Sequence, residues 1–350
     1  MVIFAVQMNA LNQKHIRLIN QLKEELSVSR RIVITTHQGP DGDAMGSSLA
    51  LYHFLKKQKH DVTVITPNDY PEFLHWMPSN ADVVNYMRQK PLAESLVEKA
   101  EYVFHLDYNH LKRSADMMRS LYHCKAVRVL IDHHIAPELP AKYIFSEIEV
   151  SSTCELLFCI MKQWDAGLID CNIATCIYTG IMTDTGSFCY QSANAQSFLV
   201  AAELMAYGID RAGIYDKVYD NYSETRMRLM GYCLNEKMEV FPQYGTALIS
   251  LNLEEQQLYN FVVGDSEGFV NLPLSIKGIR FTAFFLENAD KVKISFRSKG
   301  NFSVNDFSRK HFGGGGHLNA AGGDSKMPLN ELVQQFRELL PLYEKELNNE

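Results

Sequence analysis

The sequence predicts an α/β fold: a mostly parallel sheet covered by helices on both faces, followed by a second, smaller α/β domain. Two observations carry this. Through the first half, short β-branched runs alternate with helical apolar patterns, the arrangement that builds a parallel sheet with crossover helices. After Gly208 the alternation stops, and later strands cluster around a hairpin turn.

Arg31–Thr36 reads as the first strand, Asp61–Thr66 as the second, Tyr102–Leu106 as the third and Val127–Ile131 as the fourth. Between the first two, Ala44–Lys57 reads as a helix with Met45, Leu49 and Tyr52 on one face. Ser152 and Glu155 have the spacing of a capping box opening a helix that runs to about Trp164. Further helices are expected over Cys171–Met182 and Ala193–Tyr207, the second stopped by Gly208. Asp210–Ser223 shows no strand signal and is taken as connector. Thr246–Leu251, Arg280–Leu286 and Lys291–Phe296 read as strands of a second sheet, the last two joined by the turn Glu287-Asn288-Ala289-Asp290. A short helix at Ser303–His311 leads into Gly313–Gly316, and an amphipathic helix spans Leu329–Leu347. The expected domains are residues 1–208 and 231–350, with 209–230 between them.

The 350 residues are 46% apolar and 21% charged, enough to bury a sizeable core. The formal net charge is -7 and the pI about 6.0. A protein that coats duplex nucleic acid is usually basic, so any nucleic-acid contact is expected to be short and confined to a pocket. Met1 to Asn12 lacks a basic n-region and a cleavage site, so no signal peptide is read there. No apolar run is long enough to span a bilayer. The cysteines are Cys124, Cys154, Cys159, Cys171, Cys176, Cys189 and Cys233, odd in number and without a C-x-x-C pair. They read as thiols in a reducing, cytoplasmic setting.

Three predicted strands run straight into acidic or histidine residues. The first leads to His37-Gln38-Gly39-Pro40-Asp41-Gly42-Asp43, the third to Asp107 and the fourth to Asp132-His133-His134, while Asp184 follows an apolar helix. Taken singly, Asp-Gly is a turn and an Asp after a strand is an N-cap. Taken together they converge, because the carboxyl ends of parallel strands lie along one edge of the sheet. Two unit charges about 4 Å apart repel by about 4 kcal/mol at an effective dielectric near 20. Six such pairs among Asp41, Asp43, Asp107 and Asp184 would rival the stability of a domain. No run of Lys or Arg supplies the counter-charge, and two divalent cations would. Carboxylates and imidazoles without thiolate favour manganese, with magnesium second. A pair of such ions lowers the pKa of a shared water and stabilises an in-line displacement at phosphorus.

These motifs, from His37 through Pro40-Asp41-Gly42-Asp43-Ala44-x-Gly46-Ser47 to Asp107, Asp132-His133-His134 and Asp184, resemble those of the DHH phosphoesterase superfamily. Gly313-Gly314-Gly315-Gly316-His317-x-Asn319-Ala320-Ala321-Gly322 resembles the signature of the DHH-associated C-terminal domain. The usual Asn before the Pro is Gly39 here. The resemblance implies that His37, Asp41 and Asp107 hold one cation. It implies that Asp43, Asp107, His133 and Asp184 hold the other, with Asp107 bridging. Asp132 would orient a histidine ring, and His134 would face the phosphate and assist the leaving oxygen.

Glycines let backbone amides approach an anion closely, so Gly314, Gly315 and Gly316 with His317 and Asn319 read as a phosphate or nucleotide grip. Arg297, beside Ser298 at a strand end, is a candidate phosphate clamp. Arg113 stands six positions after Asp107, where the family often carries an Arg. A cleft between two such domains would admit a nucleoside bisphosphate or a few nucleotides of single-stranded RNA, not a duplex.

Within the superfamily, the compact two-domain form resembles enzymes that are both oligoribonucleases and nucleotide phosphatases. That implies hydrolysis of short RNA to 5'-mononucleotides and removal of the 3'-phosphate from adenosine 3',5'-bisphosphate. It also implies a homodimer and no membrane partner. Hydrolysis of cyclic or linear dinucleotides is the alternative expectation.

Overall fold

The computed structural model describes residues 11–190 and 192–348, so most of the stretch read for a signal peptide lies outside the described residues. The chain divides into two compact units at Asn221/Tyr222.

In the first unit, in chain order, the elements are α1 (Gln13–Glu25), β1 (Arg31–Thr35), α2 (Gly42–Lys57), β2 (Asp61–Thr66), β3 (Val84–Asn85), α3 (Lys90–Lys99) and β4 (Tyr102–Leu106). There follow α4 (Met118–His123), β5 (Val127–Asp132), β6 (Tyr143–Ser146), α5 (Thr153–Asp165), α6 (Cys171–Asp184), α7 (Ala195–Met205) and α8 (Arg211–Tyr219). The sheet order is β3-β2-β1-β4-β5-β6, with every pairing parallel. The predicted parallel sheet is therefore present. Alternation along each strand feeds two cores, as a sheet covered on both faces requires. Ile32, Ile34, Phe104, Leu106, Val129 and Ile131 join α1, α2, α5 and α6 on one face. Val33, Val103 and Leu130 join α3 and α4 on the other.

The chain leaves β1 for β2 and β3, then returns to β1's other side with β4. Between β1 and β4 the winding therefore reverses, which opens a crevice at the strands' carboxyl ends.

In this sheet the strands that sequence pattern missed, β3 and β6, are two and four residues long and sit at the edges. The capping box at α5 is half formed. Ser152 Oγ accepts from the Glu155 amide at 3.1 Å, but the Glu155 carboxylate turns to the Ser151 amide and the Ser197 hydroxyl. The expected connector is largely helical: α8 belongs to the first unit, and α9 (Glu224–Tyr232) opens the second. Only Ile214 and Val218 are buried on α8, a stripe too thin to read as amphipathic.

The second unit continues with β7 (Met238–Phe241), β8 (Thr246–Leu251), α10 (Leu253–Leu258), β9 (Phe281–Glu287), β10 (Val292–Ser298), α11 (Val304–Phe312), β11 (Gly315–Gly316), β12 (Ala320–Ser325), α12 (Leu329–Leu339) and α13 (Glu344–Asn348). Its sheet runs β11-β12-β10-β9-β8-β7; only the β8–β9 pair is parallel. β9 and β10 form the expected hairpin, closed by the Asn288 amide on the Lys291 carbonyl. Phe281, Phe285, Phe296, Phe307, Phe312 and Phe336 fill one face of the sheet. The final helix is interrupted at Leu340–Tyr343, where Pro341 cannot donate to the helical ladder.

All seven cysteines are free thiols. Among the described residues, no helix is long and apolar enough to cross a membrane.

Candidate functional site

The crevice of the first unit collects the acidic and imidazole groups from four pieces of chain. His37 lies two residues past β1, Asp107 directly follows β4, and Asp132 ends β5 with His133 and His134 after it. Asp41 is the N-cap of α2, its Oδ1 accepting from the amides of Asp43 and Ala44 at 3.0 and 3.1 Å. Asp184 is the last residue of α6.

Helix packing brings Asp184 to the others. Gly42 of α2 faces Thr183, and Gly46 faces Gly180 and Cys176. The helices therefore run antiparallel, and the end of α6 meets the start of α2. The approach is too close for side chains: a Cβ on Gly42 would stand 2.2 Å from Thr183 Oγ1, while Gly180 of α6 closes on α5, where a Cβ would stand 2.2 Å from Cys154 Sγ. Three small residues thus set the distance between carboxylates that lie far apart in sequence.

The ligand-type atoms form overlapping groups around Asp107. His37, Asp41 and Asp107 have such atoms within 4.8 Å of one another, and so do Asp43, Asp107 and His133. His37 Nε2 is 3.3 Å from Asp107 Oδ2 and 3.8 Å from Asp41 Oδ2. His133 Nε2 is 3.5 Å from Asp107 Oδ1, 3.6 Å from Asp184 Oδ2 and 3.8 Å from Asp43 Oδ2. Asp107 thus offers one oxygen to each side. His134 stands behind, its Nδ1 2.7 Å from Asp132 Oδ1, so Asp132 orients the His134 ring.

The electrostatics show how much charge is concentrated. Burial and the charges of Asp107, Asp184 and Asp41 push the Asp43 carboxyl well above the usual carboxylate range. Burial disfavours charge on His37, but its bonds to Asp107 and Asp41 outweigh this and raise it to about 9. Burial likewise works against the carboxylate forms of Asp41 and Asp107, yet contact with His37 holds both low. His133 is raised by Asp184 and Asp107 against the effect of its own burial.

Sequence reasoning missed the residue that fixes two of these carboxylates. Thr153, the first helical residue of α5, donates its amide to Asp43 Oδ2 at 2.7 Å and its hydroxyl to Asp107 Oδ1 at 3.0 Å; the Cys154 amide reaches Asp43 Oδ1 at 2.9 Å. A helix N-terminus presents unpaired amides to an anion, and the Ser152 cap signal marked where that end falls. Gly39, in place of the family's Asn, has φ +63°, a left-handed conformation that both residue types accept. Its amide is held by Asn68 Oδ1 at 2.7 Å.

Arg113 is half-buried in the turn after β4, its carbonyl accepting from the Gln38 amide at 2.6 Å. Its charge bears on His37 and Asp41.

The remaining expected residues lie in the second unit. Arg297 lines a small pocket on the sheet face with Lys293, Ser295 and Glu267. Ser298 is buried and donates to the Phe302 carbonyl at 2.7 Å, while Asn319 Nδ2 bonds Ser298 Oγ and the Gly300 carbonyl at 2.9 Å each. Both therefore pin the loop after β10. The glycine run is a closed hairpin. A Cβ on Gly314 would lie 1.8 Å from the Gly322 carbonyl oxygen, and one on Gly316, at φ +155°, 2.4 Å from that of Ala320. Gly315 meets nothing nearer than 3.4 Å. The Gly314 amide bonds the Ser308 carbonyl, the Gly316 amide Asn305 Oδ1 and the His317 amide the Ala320 carbonyl. Two of the glycine amides expected to face an anion, those of Gly314 and Gly316, are thus spent on α11, and the His317 amide closes the hairpin's turn.

Comparison with known proteins matches a model of the DHH family, N-terminal domain, over residues 31–181 and one of the DHHA1 domain over residues 256–348. A bifunctional oligoribonuclease and PAP phosphatase NrnA from Thermus thermophilus is 30% identical over 92% of this chain and 91% of its own length. The Bacillus subtilis protein of the same name is 25% identical over 86% of this chain and 91% of its own. The crystal structure of an exopolyphosphatase-related protein from Bacteroides fragilis superposes with TM-score 0.90 and 43% identity, covering 95% of this chain and 98% of that one. RecJ from Thermus thermophilus, solved with Mn2+, shares the fold at TM-score 0.54 and 14% identity, covering 97% of this chain and 56% of that one.

Proposed function

The chain belongs to the DHH family of phosphoesterases, and from that premise we propose that it hydrolyses short RNA oligonucleotides to 5'-mononucleotides and removes the 3'-phosphate of adenosine 3',5'-bisphosphate. The observation that carries the reading is Asp107, whose two oxygens face two separate groups of carboxylate and imidazole atoms.

Divalent cations fit this donor set. The Asp43 carboxyl is pushed up by its acidic neighbours, a repulsion that a cation would relieve. Cys154, beside Asp43, is raised by burial and stays a thiol, so the donors are oxygen and imidazole nitrogen, suited to manganese or magnesium. His37, Asp41 and Asp107 would hold one ion; Asp43, Asp107, His133 and Asp184 the other. Bound cations would supply a water of lowered pKa and neutralise charge developing at phosphorus.

The protein's own groups do the rest. Thr153 and the start of α5 fix Asp43 and Asp107 before any ligand arrives. Asp132 holds Nδ1 of His134, setting Nε2 as the nitrogen that hands a proton to the leaving oxygen. Arg113, Arg297 and His317 are the substrate's phosphate contacts in this reading, while Ser298, Asn319 and Gly314–Gly316 shape the segments that present the last two. The free thiols agree with a cytoplasmic location.

The test is a substrate panel with manganese: RNA dimers to pentamers, adenosine 3',5'-bisphosphate, cyclic and linear dinucleotides, and polyphosphate, the last because the Bacteroides fragilis relative is described as exopolyphosphatase-related. The reading expects RNA and the bisphosphate to turn over, both lost in Asp107→Ala. Turnover of polyphosphate alone, or undiminished activity in the variant, would overturn it.

A further inference from the structure

Asp107 has φ +64°, a left-handed backbone conformation that costs a residue other than glycine about 1–3 kcal/mol and persists only where its surroundings impose it. The amide side is held, since the Asp107 N–H donates to the Ile131 carbonyl at 3.1 Å. What holds the other side is a buried polar cluster that the proposed chemistry does not use. Thr35, His105 and Tyr108 are fully buried, one at the end of β1, one in β4 and one directly after Asp107.

The three side chains bond one another and the sheet. Thr35 Oγ1 donates to the Phe104 carbonyl at 3.2 Å and lies 2.6 Å from the Tyr108 hydroxyl and 3.3 Å from His105 Nδ1. The Tyr108 hydroxyl is in turn 2.5 Å from His105 Nδ1. The Tyr108 hydroxyl therefore sits between a side chain of β1 and one of β4, in a continuous chain of hydrogen bonds from Phe104 through Thr35 and Tyr108 to His105.

We infer that Tyr108 is a positioning residue: its hydroxyl, tied to β1 and β4 by this chain, holds Asp107 in the left-handed conformation that turns one carboxylate oxygen to each donor group. The inference rests on the proposed role of Asp107 in holding cations. Tyr108→Phe keeps the ring and removes the bond, and Thr35→Val breaks the chain at its other end. Leu22→Ala, in α1 and buried, is a control that lowers stability at a distance.

The experiment titrates the metal-free proteins with Mn2+ by calorimetry and solves the Tyr108→Phe structure. Loss of an orienting hydrogen bond behind a metal ligand weakens affinity about 10–100-fold. Tyr108→Phe is expected to lose at least about tenfold, with Asp107 relaxed from positive φ, and Thr35→Val to lose affinity in the same direction. Leu22→Ala should lower the melting temperature with Mn2+ affinity unchanged. Wild-type affinity in Tyr108→Phe, or an equal loss in Leu22→Ala, overturns the inference and leaves the proposed function standing. A wild-type protein that binds no Mn2+ overturns both.

Discussion

In the first unit, His37, Asp107, Asp132 and His133 are all buried at the ends of three adjacent strands, with Asp43 buried in the first turn of α2 and Asp184 half-buried beside them. In the second unit, the signature segment Gly313–Gly322 buries no ionisable side chain at all. Both regions depend on glycine, to different ends. Gly42, Gly46 and Gly180 let α2, α5 and α6 close so that carboxylates repel one another at short range. Gly314, Gly316 and Gly322 let backbone pack on backbone in a hairpin whose amides find internal partners. One region concentrates like charge that added cations would relieve; the other pairs its backbone amides within the unit. The difference separates the two kinds of damage a substitution can do.

The largest effect is expected at the charged region. Asp107→Ala removes the shared carboxylate and should cost at least about 10³-fold in turnover of RNA and of adenosine bisphosphate, near 4 kcal/mol. Steady-state kinetics with manganese check this, with circular dichroism confirming that the fold survives.

Gly314→Ala comes next. Its Cβ would press on a backbone carbonyl that cannot move aside, costing about 3 kcal/mol. Thermal unfolding should show the loss, while calorimetric Mn2+ affinity should stay at the wild-type value. A change in that affinity would break the comparison.

The pH dependence of the metal-free protein sharpens it. The folded-state pKa of His37 is raised to about 9 from an ordinary 6.5, so the folded protein binds the extra proton. That stabilisation is full below about pH 6.5 and is lost as pH rises through about 9, on the order of 3 kcal/mol. Denaturant melts of metal-free protein should weaken over this window. Saturating Mn2+ should abolish the decline, because a bound ion requires the neutral ring. The second unit should show no such response.

The smallest change asked for is Gly180→Ala. Its Cβ would meet Cys154 Sγ, a side chain able to yield, so the cost should be about 2 kcal/mol. The same Cβ would lie 3.0 Å from Asp43 Oδ1, so Mn2+ affinity should fall with stability, unlike in Gly314→Ala. Calorimetry beside thermal melts separates the two outcomes.

Much of the charged region was legible because strand polarity alone sends His37, Asp107 and Asp132-His133-His134 to one edge. Thr153 was not, since a threonine after a serine cap looks like any first helical residue until the helix end is seen against Asp43 and Asp107. The glycine run was located, but its amides' partners, Ser308, Asn305 and Ala320, are set by tertiary packing that no local pattern encodes. β12, Ala320–Ser325, lacks β-branched residues and is held as a strand by Gly322 and Gly323 lying flat on their neighbours. The hidden helices α8 and α9 bury few apolar side chains, and periodicity is faint where little is buried.

The most direct measurement is an anomalous difference map from crystals grown with Mn2+. The account predicts two peaks in the first unit, both contacting the Asp107 carboxylate, one also touching His37 and the other His133. Peaks that avoid Asp107, or none at all at saturating Mn2+, would contradict it.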